Sequence, residues 1–202
     1  ESERALSQII EGSTIPTFVL NADHVVTHWN KAMERMTGCS ADDIVGTNRQ
    51  WLPFYKKERP TMADVILDQI DEATIAELYR GKWRKSALVE GAYESDGFFP
   101  NLGGEGKWCW FTAAPIKAAD GTVVGAIETM WDNTDKKRAE SDRLQYTRKL
   151  EENQRALSQI IQGSSIPTFV LNRDHTITHW NQALENLTGQ PSSEMVGTNR
   201  QW

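Results

Sequence analysis

The chain has 202 residues, of which 39% are hydrophobic and 25% charged, with a net charge of −6. This composition is typical of a soluble globular protein. The Lys and Arg residues form no broad cluster, and no apolar run approaches the ~20 residues that span a bilayer, so we expect neither nucleic-acid binding nor membrane contact in this segment. Two cysteines, Cys39 and Cys109, lack the spacing of a disulfide scaffold or a zinc site and predict a reducing cytoplasm, even if the parent protein is membrane-anchored.

A long internal repeat defines the organisation of the chain. Residues 155–202 repeat residues 4–51 with 33 of 48 positions identical. Solenoid repeats have periods of roughly 20–50 residues, so this offset predicts two tandem domains instead. We expect a first domain over 1–134, a helical linker over 135–154, and the N-terminal part of a truncated second domain over 155–202.

Within the first domain, capping residues and apolar patterns predict short helices and longer strands. The predicted helices cover 2–11 and 31–37, one turn after Ser40, a helix starting at Thr61, and 71–79. The predicted strands lie near 15–22, 24–30, 86–96, 106–117 and 121–132. Asp120-Gly121 predicts a tight hairpin between the last two. Two strands, several helices and three strands in this order indicate an α+β fold with an antiparallel sheet.

The linker is charged and contains neither proline nor glycine, so we expect one continuous helix over 135–161. One heptad position holds Ala139, Tyr146, Asn153 and Ile160, and the other holds Arg143, Leu150 and Leu157. This imperfect coiled-coil pattern favours a dimeric signalling helix over its alternative, a solvated connecting helix. We therefore expect a homodimer formed through helices 2–11 and 135–161.

Four motifs, in this order and at this spacing, resemble the signature of a PAS domain. They are Val25–Ala32, then Met36-Thr37-Gly38 with Ile44-Val45-Gly46, then Trp108 with Phe111–Ile116, and Asp132–Glu140 after Gly121. Residues 52–106 depart from the family pattern because this stretch is longer than usual. The subtype resembles those of bacterial or archaeal multi-PAS signalling proteins, such as sensor histidine kinases and diguanylate cyclases.

The resemblance implies a five-stranded antiparallel sheet with short helices on one face, which enclose a central cavity. It also implies a sensory role without catalytic residues in this segment, the enzymatic output domain lying elsewhere in the parent protein. In this view a small ligand, or a conformational signal, acts through the C-terminal helix. A ligand-free dimerisation or relay module is the alternative, and a haem- or flavin-dependent redox sensor is a third.

Two absences make the usual cofactors of the family unfavourable. Flavin photoreceptors of this family carry a cysteine at the position that Arg49 occupies here. Haem-binding members use a histidine from the middle of the domain, and residues 60–80 contain none. We therefore expect no obligatory metal or chromophore.

By resemblance to the flavin-binding subgroup, alternate residues of the last two strands point into the cavity. The candidate ligand-binding residues are His28, Arg59, Cys109, Phe111, Ala113, Glu128 and Met130. A carboxylate in an apolar cavity needs a partner, and for Glu128 we expect His28, Arg59 or a bound ligand. An internal salt bridge or contact with water at the strand edge remains open. His24 is expected to be exposed at its turn.

The tryptophans divide into two groups under the same strand parity. Trp108 and Trp110 are expected to face away from the cavity, whereas Trp29 and Trp51 are expected in the core. The truncated copy lacks three strands, so residues 155–202 are expected to pack against another chain. Exchange of strands between chains is a low-cost way to achieve this, because both copies carry nearly the same hairpin.

Overall fold

The computed structural model describes residues 2–200, and the side chains of Ser2, Glu3 and Leu6 lie outside the description. The chain divides into two compact units, of which the first ends at Arg138 and the second begins at Ala139. The predicted boundaries at 134 and 154 remain predictions. Among residues 2–200, none of the helices combines the length and apolar character that a membrane crossing requires.

The first unit is an antiparallel sheet whose concave face is covered by short helices, as the α+β prediction required. Its elements are α1 (Ser2–Gly12), β1 (Thr17–Asn21), β2 (Val26–Trp29), α2 (Lys31–Thr37), α3 (Ala41–Ile44), α4 (Met62–Leu67), α5 (Glu72–Leu78), β3 (Trp83–Lys85), β4 (Tyr93–Phe99), β5 (Lys107–Lys117) and β6 (Val123–Asp132). The strand order is β2-β1-β6-β5-β4-β3. The first and last parts of the domain therefore meet at the centre of the sheet.

One strand prediction was wrong in detail. Of the strand expected over 86–96, residues 86–92 instead form a turn between β3 and β4, and only the remainder belongs to β4. The amide of Ser86 donates to the Ala92 carbonyl at 2.9 Å, and Gly91 takes a φ of 77° that favours glycine. The hairpin adds β3 as a sixth strand at the sheet edge, where Trp83 pairs with Ser95.

Residue parity along β5 and β6 places alternate side chains in the core, as predicted. Cys109, Phe111 and Ala113 are buried on β5, and Ala126, Glu128 and Met130 are buried on β6. Trp110 and Trp131 stack on the opposite face, with ring centroids 4.7 Å apart. Trp29 is in the core as expected, whereas Trp51 is only half-buried.

A buried asparagine ties the first helix to the sheet. The Asn30 carbonyl oxygen accepts from the amides of Thr17 at 3.1 Å and Met33 at 2.9 Å. Its amide nitrogen donates to the carbonyls of Ile10 at 3.1 Å and Ile15 at 2.8 Å. This one side chain therefore caps α2 and holds the end of α1 against the start of β1.

The second unit repeats the opening of the first. It contains β7 (Phe169–Leu171), β8 (Ile177–Trp180), α7 (Gln182–Thr188) and α8 (Ser192–Met195). Asn181 repeats the contacts of Asn30, accepting from Thr168 at 2.9 Å and donating to Ile161 at 3.0 Å. In the described residues β7 pairs with β8 alone, whereas its counterpart β1 also pairs with β6.

A single helix, α6 (Thr134–Gly163), follows the first sheet. It extends over 30 residues and confirms the continuous helix expected for 135–161. Tyr146, Leu150 and Leu157 are 72%, 48% and 59% exposed, so no described residue covers the apolar seam of the helix. The partner helix that was expected to cover this seam remains a prediction.

Candidate functional site

A cavity of about 540 Å³ opens in the first unit, between the segment before α4, the end of α5, and strands β4 and β5. This volume lies within the range of small-molecule sites, which are mostly apolar with a few polar groups. The aromatic residues that line it are Phe54, Tyr55, Tyr79, Phe98, Phe99, Trp108 and Phe111. The cavity is therefore the leading candidate for a ligand site in this unit.

Arg59 is the polar centre of the cavity. Its guanidinium carbon lies 4.3 Å from the ring centroid of Tyr55 and 5.2 Å from that of Tyr79. One nitrogen, Nη2, donates to the carbonyl of Leu78 at 2.9 Å. The buried Nε has no acceptor among the described residues. An arginine offers five donors, so most of the hydrogen-bonding capacity of this one remains available.

The two tyrosines keep their hydroxyls neutral. Burial raises the pKa of Tyr55 to about 12, although the positive charge of Arg59 acts in the opposite direction. Burial also raises the pKa of Tyr79 well above its ordinary value. Tyr79 is only 8% exposed, and its hydroxyl makes no hydrogen bond of standard geometry among the described residues, although the neighbouring Tyr55 hydroxyl contributes to the rise of its pKa. It is thus a neutral and weakly paired polar group next to Arg59.

The wall of the cavity is also the attachment point of α6. Trp108 was expected to face away from the cavity, but it lines the cavity at its edge. Its amide donates to Thr134 Oγ1 at 3.0 Å, and its carbonyl accepts from Asn133 at 2.7 Å. Lys137 Nζ lies 5.6 Å from the Trp108 ring centroid and 3.6 Å from Asp96 Oδ2. Asp96 is a second lining residue. Two cavity residues therefore contact the first turn of the exit helix.

Glu128 is buried in the core and is paired with backbone. It is 3% exposed, and its Oε2 accepts from the amide of Ala63 in α4 at 2.9 Å. Burial raises the pKa of Glu128 to about 8, against the Ala63 hydrogen bond that lowers it, and the negative charge of Asp64 adds to the rise. The expected burial is confirmed, but the partner is α4 rather than His28 or Arg59.

His24 was expected to be exposed, and this expectation was wrong. Its Nδ1 lies 2.7 Å from Asp64 Oδ1 and its Nε2 lies 3.1 Å from Asp68 Oδ1. Partial burial lowers the pKa of His24, but the hydrogen bonds and charges of both aspartates outweigh it, so the net pKa is above 6.5. Sequence reasoning missed this because the aspartates are 40 or more residues away along the chain.

The structure brings two of the predicted ligand-binding residues, Arg59 and Phe111, to the cavity. Cys109, Ala113 and Glu128 are buried in the core but do not line it. The remaining two candidates lie elsewhere. Met130 lines a separate opening beside Lys31 and Arg35, and His28 contacts Thr27 Oγ1 at 3.0 Å, on the side of β2 opposite Trp29.

Sequence reasoning also missed Tyr55 and Tyr79. Both lie in the stretch 52–106, where the sequence departs from the family pattern, and Tyr79 was read as one of several apolar residues of its helix. In the chain Tyr55 precedes Arg59 and Tyr79 follows it, but only the fold places these three side chains together.

Comparison with known proteins agrees with this architecture. The family description "PAS fold" matches residues 10–138, and a second PAS-fold description matches residues 155–199. Among curated proteins, phytochrome B of Arabidopsis thaliana is 23% identical over 194 residues. The alignment covers 96% of this chain but only 15% of phytochrome B.

Some solved structures are similar to parts of this chain at low identity. The PAS domain of BvgS from Bordetella pertussis is 17% identical with a TM-score of 0.44, over 75% of this chain and 99% of that one. The PAS domain of an HTR-like protein from Haloarcula marismortui is 12% identical with a TM-score of 0.42, over 65% and 91%. Likeness at this level does not extend to ligand or partner. With a family match that covers more than half of its length, the chain belongs to the PAS fold family.

Proposed function

We propose that the chain is a sensory signalling module, in which occupancy of the cavity changes how the first turn of α6 is held. Its role is regulatory rather than catalytic. The output is an enzymatic domain outside this sequence, of the histidine kinase or diguanylate cyclase type, in a protein with several PAS domains. The chain spans about 15% of its curated relative, which accords with a module inside a longer protein.

The observation that carries this proposal is the shared wall between cavity and helix. Trp108 and Asp96 line the cavity, and both contact α6, through Thr134 and Lys137 respectively. The Trp108 ring lies 5.6 Å from Lys137 Nζ, so a ligand that moves the ring by a few tenths of an ångström changes this contact directly. Packed interiors transmit such displacements because they contain few voids that absorb them.

Dimerisation gives the movement of α6 a mechanical consequence. The seam of Tyr146, Leu150 and Leu157 is exposed in the described chain, and a second copy of α6 is the simplest surface to cover it. α1 contributes to the same homodimer through Ile9, which is 71% exposed. The open edge of β7 also allows a strand from a second chain to pair there.

A cavity-filling variant tests the proposal without knowledge of the ligand. Gly97 lines the cavity opposite Cys109 in the sheet, and an added Cβ meets only the Phe99 ring, at 3.9 Å. We expect Gly97→Leu to change the hydrogen-exchange rates of the amides at 134–138. The control Thr112→Leu adds a similar side chain on the opposite face of β5 and should leave these rates unchanged. Equal rates in wild type and Gly97→Leu would contradict the coupling.

A further inference from the structure

Because Arg59 lacks an acid partner, the cavity requires a particular ligand chemistry. None of the ion pairs among residues 2–200 involves Arg59. Its Nε is buried without an acceptor. The residue as a whole is half-buried, but this nitrogen is a buried donor without an acceptor, which is costly. The described chain does not supply this acceptor.

Two acidic side chains that act on or line the cavity already have other partners. Glu128, whose charge acts on Tyr79, accepts from the amide of Ala63. Asp96 is the one acidic residue of the lining, and it pairs with Lys137 at 3.6 Å. An anion that neutralises Arg59 must therefore enter from outside.

A second polar group of the same cavity has at most a weak partner. Tyr79 is more than nine-tenths buried, its hydroxyl makes no hydrogen bond of standard geometry and has only the Tyr55 hydroxyl nearby, and its ring is one of the two on which Arg59 stacks. A planar carboxylate with two oxygens matches one guanidinium donor and one neutral hydroxyl donor at the same time. The aromatic residues of the lining offer the rest of such a ligand a flat apolar surface.

The rim of the cavity is positively charged, as is Arg59 inside it. Lys56, Arg80 and Lys82 line its mouth, so four cations face a single acidic side chain there, although the whole chain has a net charge of −6. Such a local field raises the concentration of anions at the opening and accelerates their entry.

We propose that this cavity binds a small aromatic carboxylate, with the carboxylate on Arg59 and Tyr79 and the ring among Phe54, Phe99 and Phe111. The inference rests on the proposed sensory function and names the ligand class of the same site. The volume of about 540 Å³ accommodates a molecule of one or two rings.

The test compares acids with their neutral amides. Phenylacetate and indole-3-acetate, with phenylacetamide and indole-3-acetamide, are titrated into the purified chain by calorimetry. A charge-assisted hydrogen bond in a buried site predicts that each acid binds roughly ten- to a hundredfold more tightly than its amide. Arg59→Gln should remove this preference, whereas Lys56→Gln on the rim should keep it.

Tyr79→Phe provides an independent test in case the Arg59→Gln protein does not fold. It should weaken acid binding severalfold and leave amide binding unchanged. In the ligand-free chain it should change the melting temperature little, because the hydroxyl makes no hydrogen bond of standard geometry. Equal affinity for acids and amides, no acid binding at millimolar concentration, or unchanged acid binding by Arg59→Gln overturns the assignment.

These outcomes are separable from the proposed function. If acids fail to bind while Gly97→Leu still alters exchange at 134–138, the ligand class is wrong and the sensory coupling stands. If acids bind with the expected preference but the exchange at 134–138 never changes, the ligand class stands and the coupling is wrong.

Discussion

Glu128 should make the stability of the first domain fall as pH rises through neutrality. Its pKa is raised to about 8 in the folded protein from about 4.5 in the unfolded chain, because burial disfavours the carboxylate. Between these values the folded state binds more protons than the unfolded state, so the free energy of unfolding decreases with pH. The stabilisation is fully present below about pH 4.5 and is lost by about pH 8.

The expected size follows from linkage, which gives about 1.4 kcal/mol for each pH unit in this window. Between about pH 6 and pH 7.5 the wild type should lose on the order of 2 kcal/mol, or roughly 4–8 °C in Tm for a chain of this size. Glu128→Gln keeps the shape of the protonated acid and its acceptor for Ala63, so it should remove most of this slope. It should also be the more stable protein at about pH 8.

Urea unfolding at several pH values, followed by tryptophan fluorescence, measures both slopes. His24 also titrates here, and its raised pKa gives a stabilisation that is lost as pH rises, in the same direction. His24→Asn is the control, because asparagine tolerates the φ of 62° at this position. A Glu128→Gln protein whose stability falls as steeply as that of the wild type would refute the assignment of the slope to Glu128.

Three further predictions concern the helices and the repeat. Asn30→Ala should destabilise the first domain by about 3 kcal/mol in urea unfolding, because it leaves several buried backbone groups unpaired. The counterpart Asn181→Ala should leave the stability of the first domain unchanged. An Asn30→Ala protein as stable as the wild type would contradict the role of Asn30 in holding α1, β1 and α2 together. Leu150→Asp should weaken self-association in analytical ultracentrifugation, whereas Gln145→Asp, which lies outside the seam of α6, should not. If the two variants weaken self-association equally, the seam is not the interface. Deletion of residues 155–202 should leave a folded and more monomeric first domain, and its unfolding would show that the second copy belongs to the first domain.

Local signals predicted most of the fold. Asn30 as a cap with Gly38 as a stop defined α2, and Asp120-Gly121 defined the hairpin before β6. These features depend on residues close in the chain, so one sequence is enough to read them. Resemblance to the flavin-binding subgroup predicted which of the alternating side chains of β5 and β6 are buried.

The site was less predictable because its contacts are long-range. His24 contacts Asp64, which is 40 residues away in the chain, and Glu128 accepts a hydrogen bond from Ala63, which is 65 residues away. Residues 86–92 were read as a strand, since their turn depends on Gly91 and on pairing of the edge strand β3. Family resemblance placed the cavity at the centre of β5 and β6, whereas the long segment 52–106 brings Tyr55 and Tyr79 to the edge at β4 and β5.

The central claim is that the first turn of α6 reports on the occupancy of the cavity. The most direct measurement follows the hydrogen-exchange rates of the amides at 134–138 across a titration with phenylacetate, alongside the indole resonance of Trp108. We expect the exchange rates and the indole resonance to change with the same midpoint as calorimetric binding, and neither to change in Arg59→Gln. Saturation of the cavity with unchanged exchange at 134–138 would contradict it.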